Sequence, residues 1–304
     1  MDSRAFLSEM ELVARDPDTG RVELDRRVLW PGVAAWITED HWSRERHSDN
    51  RAARVAASAA CLVLMRSGCF LNRAGDDLGV CDPGNVALYN CDRVVHTRTS
   101  VARRASNAFY IHPDFVAHLA EEILPGERLD PLSPFSRLTG VVSAEAYLLY
   151  HEITSTLLNG EPVDPLRLEE ALVDLLERVL RSAWHAKNPR RRLGMPRVRN
   201  RIPDLQARLS ADHARPYRLE DLAAWMGCTP WHLSRLFTQE AGVPISRYLQ
   251  RIRVRHSLER FRQGADSLAD VALEVGFGSH SHFAGAFRQE FGCTPSEVRR
   301  RLRG

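Results

Sequence analysis

The sequence predicts an α+β chain of two domains: an N-terminal region of short strands followed by amphipathic helices, and an all-helical C-terminal domain carrying a duplicated helix-turn-helix. Three observations lead there. Short apolar runs broken by turn residues fill the stretch up to about residue 112. Helical three-and-four spacing then takes over between residues 144 and 184. The last 90 residues nearly repeat themselves after about 50. The length, 304 residues, fits two domains at about 150 residues each.

In chain order, Met1-Asp2-Ser3-Arg4 with Glu9 and Glu11 close behind has neither the basic start nor the apolar stretch of a secretory signal. The longest nearly apolar run, Val55 to Met65, has 11 residues including Ser58, against about 20 for a membrane-spanning helix. These features predict a cytoplasmic protein with no membrane partner. Five runs then read as strands: Ala60 to Arg66, Gly68 to Arg73, Val86 to Asn90, Val94 to Arg98 and Asn107 to Ile111. Asp82-Pro83-Gly84-Asn85 among them is a turn signal. Strands at this spacing suggest a small barrel or sandwich over about residues 20–112.

Helices are expected over about 113–185. Ala144 to Leu158 places Tyr147, His151 or Tyr150, Thr154 and Leu157 on one side. Pro165 to Trp184 carries Leu168, Leu172, Leu175 and Val179 behind Asp164 as N-cap and Pro165 at the first helical position. Either stripe could pack on its own domain or against a second copy, with core the commoner fate. Residues 1–186 thus form one domain, and the Pro/Arg-rich stretch 187–201 reads as the linker.

Beyond the linker the charge changes sign. Residues 197–304 hold 18 Arg, no Lys and 11 acidic residues, a net of +7, which leaves −4 for residues 1–196 out of the total of +3. A basic module attached to a mildly acidic one suggests a polyanion binder with a sensor or partner domain, although a solvated basic face would look the same. The chain has 41 Arg to 1 Lys, so arginine at a single position does not by itself signal recognition.

The repeat supplies the organisation. LEDLAAWMGCTPWHLSRLFTQEAG from Leu219 and LADVALEVGFGSHSHFAGAFRQEFG from Leu268 align at a shift of 49 in their first halves and 50 in their second, so the second turn is one residue longer. Each copy reads as helix, Gly-containing turn, helix, over about 219–242 and 268–292. Thr229-Pro230 supplies an N-cap and a first-turn proline, Gly227 suits a turn with positive φ, and Ser267/Asp270 and Thr294/Glu297 have capping-box spacing. Between the copies, Ile245 to Arg262 reads as a connecting helix with Tyr248, Leu249, Ile252 and Phe261 on its apolar side.

The residues from about 197 to 304 resemble the DNA-binding domain of AraC/XylS-family transcriptional regulators. The likeness rests on LSRLF at 233–237, on Gly276-Phe277, on Phe283, Phe287 and Phe291 at four-residue spacing, and on Gly292-Cys293-Thr294-Pro295-Ser296. It implies seven helices and two helix-turn-helix motifs reading successive major grooves of double-stranded DNA, about 34 Å apart. It also implies transcriptional activation through RNA polymerase, with a repressor left open. By helical phase, Leu233, Leu236, Phe237, Phe283, Ala286 and Phe287 belong to the core. The groove side is then Trp231, His232, Ser234, Arg235 and Thr238 in the first motif, and His280, Ser281, His282 and Arg288 in the second. The resemblance singles out Trp231, Ser234 and Arg235 for base contact, with Arg235 able to pair bidentately with guanine. Relatives often carry Arg where this chain has Gly285, and Ser or Thr where it has Arg218. The second motif is therefore expected to contribute phosphate anchoring and DNA shape more than base readout.

Cys81 to Tyr89, followed by His96, resembles the strand-turn-strand pattern of cupin-like sensory barrels that precede many such domains, which implies a small-molecule effector and a helical dimerisation segment. No histidine lies between residues 59 and 80, so no enzyme, metal or cofactor is expected, and His96 reads as a barrel or pocket residue. The six cysteines, 61, 69, 81, 91, 228 and 293, are too sparse for a disulfide scaffold. The N-terminal spacings of 8, 12 and 10 are unlike a zinc site's C-x2-C. A thiol, redox or metal sensor using these cysteines remains the alternative to a small-molecule sensor.

Overall fold

In the computed structural model the chain separates into two units, Met1–His185 and Ala186–Gly304. The structure describes residues 23–30, 33–39, 51–54, 60–75, 77–91, 94–98, 105–126, 129–159, 164–185, 201–265 and 267–303. The expected linker, apart from Arg201, lies outside them.

Apolar runs bounded by turn residues become strands in the N-terminal unit. They are β1 (Glu23–Trp30), β2 (Val33–Glu39), β3 (Arg51–Arg54), β4 (Ala60–Ser67), β5 (Phe70–Ala74), β6 (Asp77–Cys81), β7 (Asn85–Tyr89), β8 (Val94–Arg98), β9 (Ala105–Ile111) and β10 (Thr139–Val141). One six-stranded sheet runs β1-β2-β9-β4-β7-β10 and one four-stranded sheet runs β3-β8-β5-β6. Strand β4 lies between β9 and β7. It is buried on both faces, which accounts for a nearly continuous apolar run instead of an alternating one.

The closed barrel that the sequence suggested is not seen. No strand of one sheet pairs with a strand of the other among the described residues. The chain crosses from β6 to β7 through a tight turn whose single bridge joins Asp82 and Asn85. Asp82 holds that turn by accepting from Gly84 N at 2.8 Å and Asn85 Nδ2 at 2.9 Å. His96 falls on β8, and its side chain lies outside the described ones.

Three helices follow: α1 (Pro113–Ile123), α2 (Ala144–Asn159) and α3 (Pro165–His185). The α2 stripe carries two tyrosines because their hydroxyls reach the sheet, Tyr147 donating to Met65 O at 2.9 Å and Tyr150 to Leu64 O at 3.1 Å. Beneath them Arg66 Nε donates to Asn107 Oδ1 at 3.2 Å, and Tyr150 shares that oxygen. On α3, Leu172, Leu175, Leu176, Val179 and Leu180 are buried within their own unit. Of the two fates open to that stripe, the core fate is the observed one, so these side chains do not form a seam with a second copy.

The C-terminal unit is helical among its described residues. Its elements are α4 (Ile202–Ala211), α5 (Leu219–Met226), α6 (Pro230–Ala241), α7 (Ile245–Arg262), α8 (Leu268–Glu274), α9 (His280–Phe291) and α10 (Pro295–Arg303). Helix α7 serves both halves. Its Tyr248 and Ile252 join Leu205, Leu222, Leu233 and Phe237 in one core, while its Phe261 packs on Phe283 and Phe287 with ring centroids 6.5 and 5.9 Å apart. Ring pairs of this kind contribute about 0.5–1.5 kcal/mol beyond the area they bury. The Thr294/Glu297 box closes in both directions, Thr294 N donating to Glu297 Oε2 at 2.7 Å and Glu297 N to Thr294 Oγ1 at 3.3 Å, while Ser267 Oγ caps its helix by accepting from Asp270 N at 3.1 Å. Arg218 makes no side-chain cap bond at the start of α5.

The two motifs end their first helices differently. Gly227 caps α5 in the left-handed region at φ +71°, whereas α8 stops one residue earlier in the alignment, at Val275, and the positive φ, +93°, passes to Gly276. The second turn therefore exceeds the first by more than the one inserted residue.

Candidate nucleic-acid interface

Helix α6 starts where Thr229 Oγ1 accepts from His232 N at 3.3 Å and Pro230 takes the first position without sacrificing a needed donor. It stops where Gly242 turns left-handed at φ +75°. Between these ends the apolar phase sends Leu233, Leu236 and Phe237 inward. The opposite phase leaves Trp231 70% exposed, with Arg235 and Thr238 exposed and His232 and Ser234 half-buried. The guanidinium of Arg235 lies 5.6 Å from the Trp231 ring and makes no ion pair among the described residues, a geometry that orients the cation while leaving its N–H fork available. Thr238 donates its hydroxyl to Ser234 O at 2.8 Å, so it faces outward mainly as a methyl and an acceptor. Nε2 of His232 is buried without a hydrogen bond among the described residues, and this ring presents less polar edge than its phase suggested.

Helix α9 is built on the same plan with a cap the sequence reading had not named: Ser279 Oγ accepts from His282 N at 3.2 Å. Phe283, Ala286 and Phe287 are buried. His280, Ser281, His282, Gly285 and Arg288 are exposed. The His282 ring stands edge-on to Phe277, 5.2 Å away. A Cβ placed on Gly285 would meet nothing within 4 Å. Packing therefore does not require glycine there, and the missing long side chain is a property of the outer face alone.

Arginines elsewhere in this unit divide by partner. Those that pin helices together are ion-paired, as in Arg255 to Glu290 at 2.8 Å and Arg260 to Glu274 at 2.7 Å, while Arg262 pairs with Glu259 of its own helix at 2.7 Å. Others lie on aromatic rings. Arg201 and Arg208 each sit 4.8 Å from the Trp225 ring, and Arg215 lies 6.0 Å from Tyr217. Sequence reasoning missed this second group, although the seven-residue spacing of Arg201, Arg208 and Arg215 is a signal that could have found it.

In the N-terminal unit, Cys61, Cys69 and Cys81 are buried. Burial pushes the Cys61 thiol far up from its ordinary range, which disfavours the thiolate that redox or metal chemistry needs. No group of three His, Cys, Asp or Glu side chains among the described residues could hold a metal ion. No helix among them is long and apolar enough to cross a membrane.

Two helix-turn-helix motifs joined by one long helix, each presenting an outward face free of acidic residues, define a DNA-binding module. A family model described as a helix-turn-helix domain matches residues 222–301. The chain is 25% identical over 210 residues to YbfI, an uncharacterised HTH-type transcriptional regulator of Bacillus subtilis, covering 67% of this chain and 70% of that one. It is 32% identical over 99 residues to the transcriptional activator RhaS of Klebsiella pneumoniae, covering 33% of this chain and 36% of that one. The right origin-binding protein of Escherichia coli is 34% identical over 99 residues, with 33% and 34% covered. Except for YbfI, the match spans about a third of these relatives' length. Among solved structures, ToxT of Vibrio cholerae aligns over 90% of this chain and 98% of its own at 16% identity with a TM-score of 0.36. The C-terminal unit is thus similar to the helix-turn-helix domains of transcriptional regulators.

Proposed function

We propose that this regulator is an effector-responsive activator that reads base sequence mainly through α6 and anchors on phosphates through α9. The observation that carries the proposal is the contrast between the two outer faces: α6 presents Arg235 against Trp231, and α9 presents Gly285 at its centre with open space around it. Arg235 pairs with a guanine, Trp231 packs on a thymine methyl or sugar edge, and Ser234 hydrogen-bonds nearby, with His232 and Thr238 flanking them. His280, Ser281, His282 and Arg288 supply contacts to the phosphate backbone. The N-terminal unit acts in the cytoplasm as a cupin-like sensor of a small molecule, and RNA polymerase is the partner of the DNA-bound form. An effector works here only by favouring one arrangement of the chain over another. Self-association, if it transmits that preference, uses the outer side of α2 and α3, where Leu166 is exposed, since the buried leucines of α3 are occupied. The test is a mobility-shift assay of the full chain on its own upstream DNA. Retention of the complex under competition by unrelated duplex is expected, and indifference to sequence would sink the reading.

A further inference from the structure

Helix α7 carries two sets of arginines that engage different parts of the DNA-binding unit. Arg247, Arg251 and Arg255, four residues apart on one side of the helix, converge on Glu290 of α9 at 3.5, 3.4 and 2.8 Å. Glu290 is 5% exposed, so the second recognition helix is tied to α7 by a covered carboxylate. Arg253 lies between two of these positions and turns the other way. Its Nε donates to the carbonyl of His213 at 2.7 Å and its Nη2 to the carbonyl of Arg215 at 2.9 Å. Those carbonyls belong to the loop from α4 to α5, the entry to the first motif.

Ala214, the residue between them, is where the second motif meets that loop. A Cβ on Gly276 would come within 2.7 Å of the Cα and O of Ala214, and Gly276 also holds φ at +93°, a conformation that only glycine adopts at little cost. The His213 ring stacks on His256 of α7 with centroids 3.8 Å apart and planes 3° from parallel, closing the same corner. The loop is thereby wedged between α7 and the turn of the second motif.

We infer that Arg253, with the Gly276–Ala214 contact, is a brace that fixes the spacing between the two recognition helices, which makes Arg253 a positioning residue for the length of DNA between the two half-sites. The inference rests on the reading of α6 and α9 as groove-binding helices. Its physical basis is leverage. Two motifs joined by a single helix can tilt about it, while one extra base pair displaces the second half-site by about 3.4 Å and rotates it by roughly 35°. A braced pair cannot follow that change and a loosened pair can.

The experiment uses the full chain on its footprinted site and on sites with one base pair inserted or deleted between the two protected grooves. Wild type is expected to lose about tenfold or more in affinity with either change, because both motifs no longer engage together. Arg253→Gln is expected to bind the natural spacing several-fold more weakly and to lose most of the insertion penalty, with wild-type affinity for a single half-site. Gly276→Ala, which pushes the turn off Ala214, supplies a second variant and is expected to shift the preferred spacing. An Arg253→Gln protein that melts like wild type and keeps the full insertion penalty overturns the brace, as does a wild type indifferent to spacing. Failure of the underlying reading looks different: the wild type would then protect one groove only, or show no sequence preference at all.

Discussion

The two helix-turn-helix motifs bury the same positions inside and differ outside. Leu233, Leu236 and Phe237 occupy in α6 the place that Phe283, Ala286 and Phe287 occupy in α9, all buried, and both helices open on a hydroxyl cap and close on a left-handed glycine. Their outer faces diverge more: His232 and His282 coincide, but Trp231 and Arg235 stand where the second motif has Ser281 and Gly285. The difference teaches that duplication preserves what packing constrains and releases what it does not.

The largest effects should ignore this asymmetry. Phe237→Ala and Phe287→Ala each delete a fully buried ring and should each cost about 3–5 kcal/mol in denaturant unfolding of the full chain. A gap of several kcal/mol between them would break the claim of equivalent interiors. The next effect should expose the asymmetry: Arg235→Ala is expected to weaken specific binding by about 1–3 kcal/mol and relax one base preference, whereas Arg288→Ala lowers affinity for all sequences alike and reduces the salt slope by about 1. Base-substitution scanning with stronger discrimination under α9 would reverse the assignment.

A gain-of-function variant sharpens the same comparison. At Gly285→Arg the added Cβ meets nothing within 4 Å at an exposed position and a mid-helix glycine is removed, so the change should stabilise α9 by roughly 0.5–1 kcal/mol and create a base preference under the second motif. An unchanged selection profile would mean that α9 does not lie in a groove. The smallest effect concerns pH. Burial holds the His213 imidazolium below its ordinary range, so the unfolded chain takes up a proton near pH 6.5 that the folded one resists. Stability should accordingly fall as pH drops through and below about 6.5 and be regained as pH rises. His213→Asn should flatten that slope in thermal melts, and an unaltered slope would show that another group sets it.

The helical half of this architecture was legible because its signals are local. Caps such as Thr229 and Ser267, the left-handed Gly227, and the repeat itself lie within a few residues of what they specify. The apolar runs at 60–66, 86–90 and 107–111 likewise emerged as β4, β7 and β9. Pairing across the chain was not legible. Nothing in one sequence states that β6 stays with β5 while β7 joins β4, so a barrel was expected and two sheets were found. Periodicity marked the α3 stripe without saying what covers it, and burial of Leu172 and Val179 within the unit supplied the answer. The Arg253 bonds and the Gly276–Ala214 approach span about 40 and 60 residues respectively, a separation at which spacing carries no information. On the candidate interface, helical phase placed Arg235, Trp231 and Arg288 outward, but could not anticipate that the Nε2 of His232 is covered or that Trp231 and Arg235 lie together.

The empty surroundings of Gly285 have an evolutionary consequence. Where a side chain is packed, a change of target must be accompanied by repair of the fold, and most single substitutions are removed by selection before their new specificity is tried. At position 285 a Cβ meets no neighbour, and a residue other than proline suits the middle of a helix better than glycine does. With α9 in a groove as proposed, a lineage could therefore sample new operators there one substitution at a time, with regulation drifting while the scaffold stays constant.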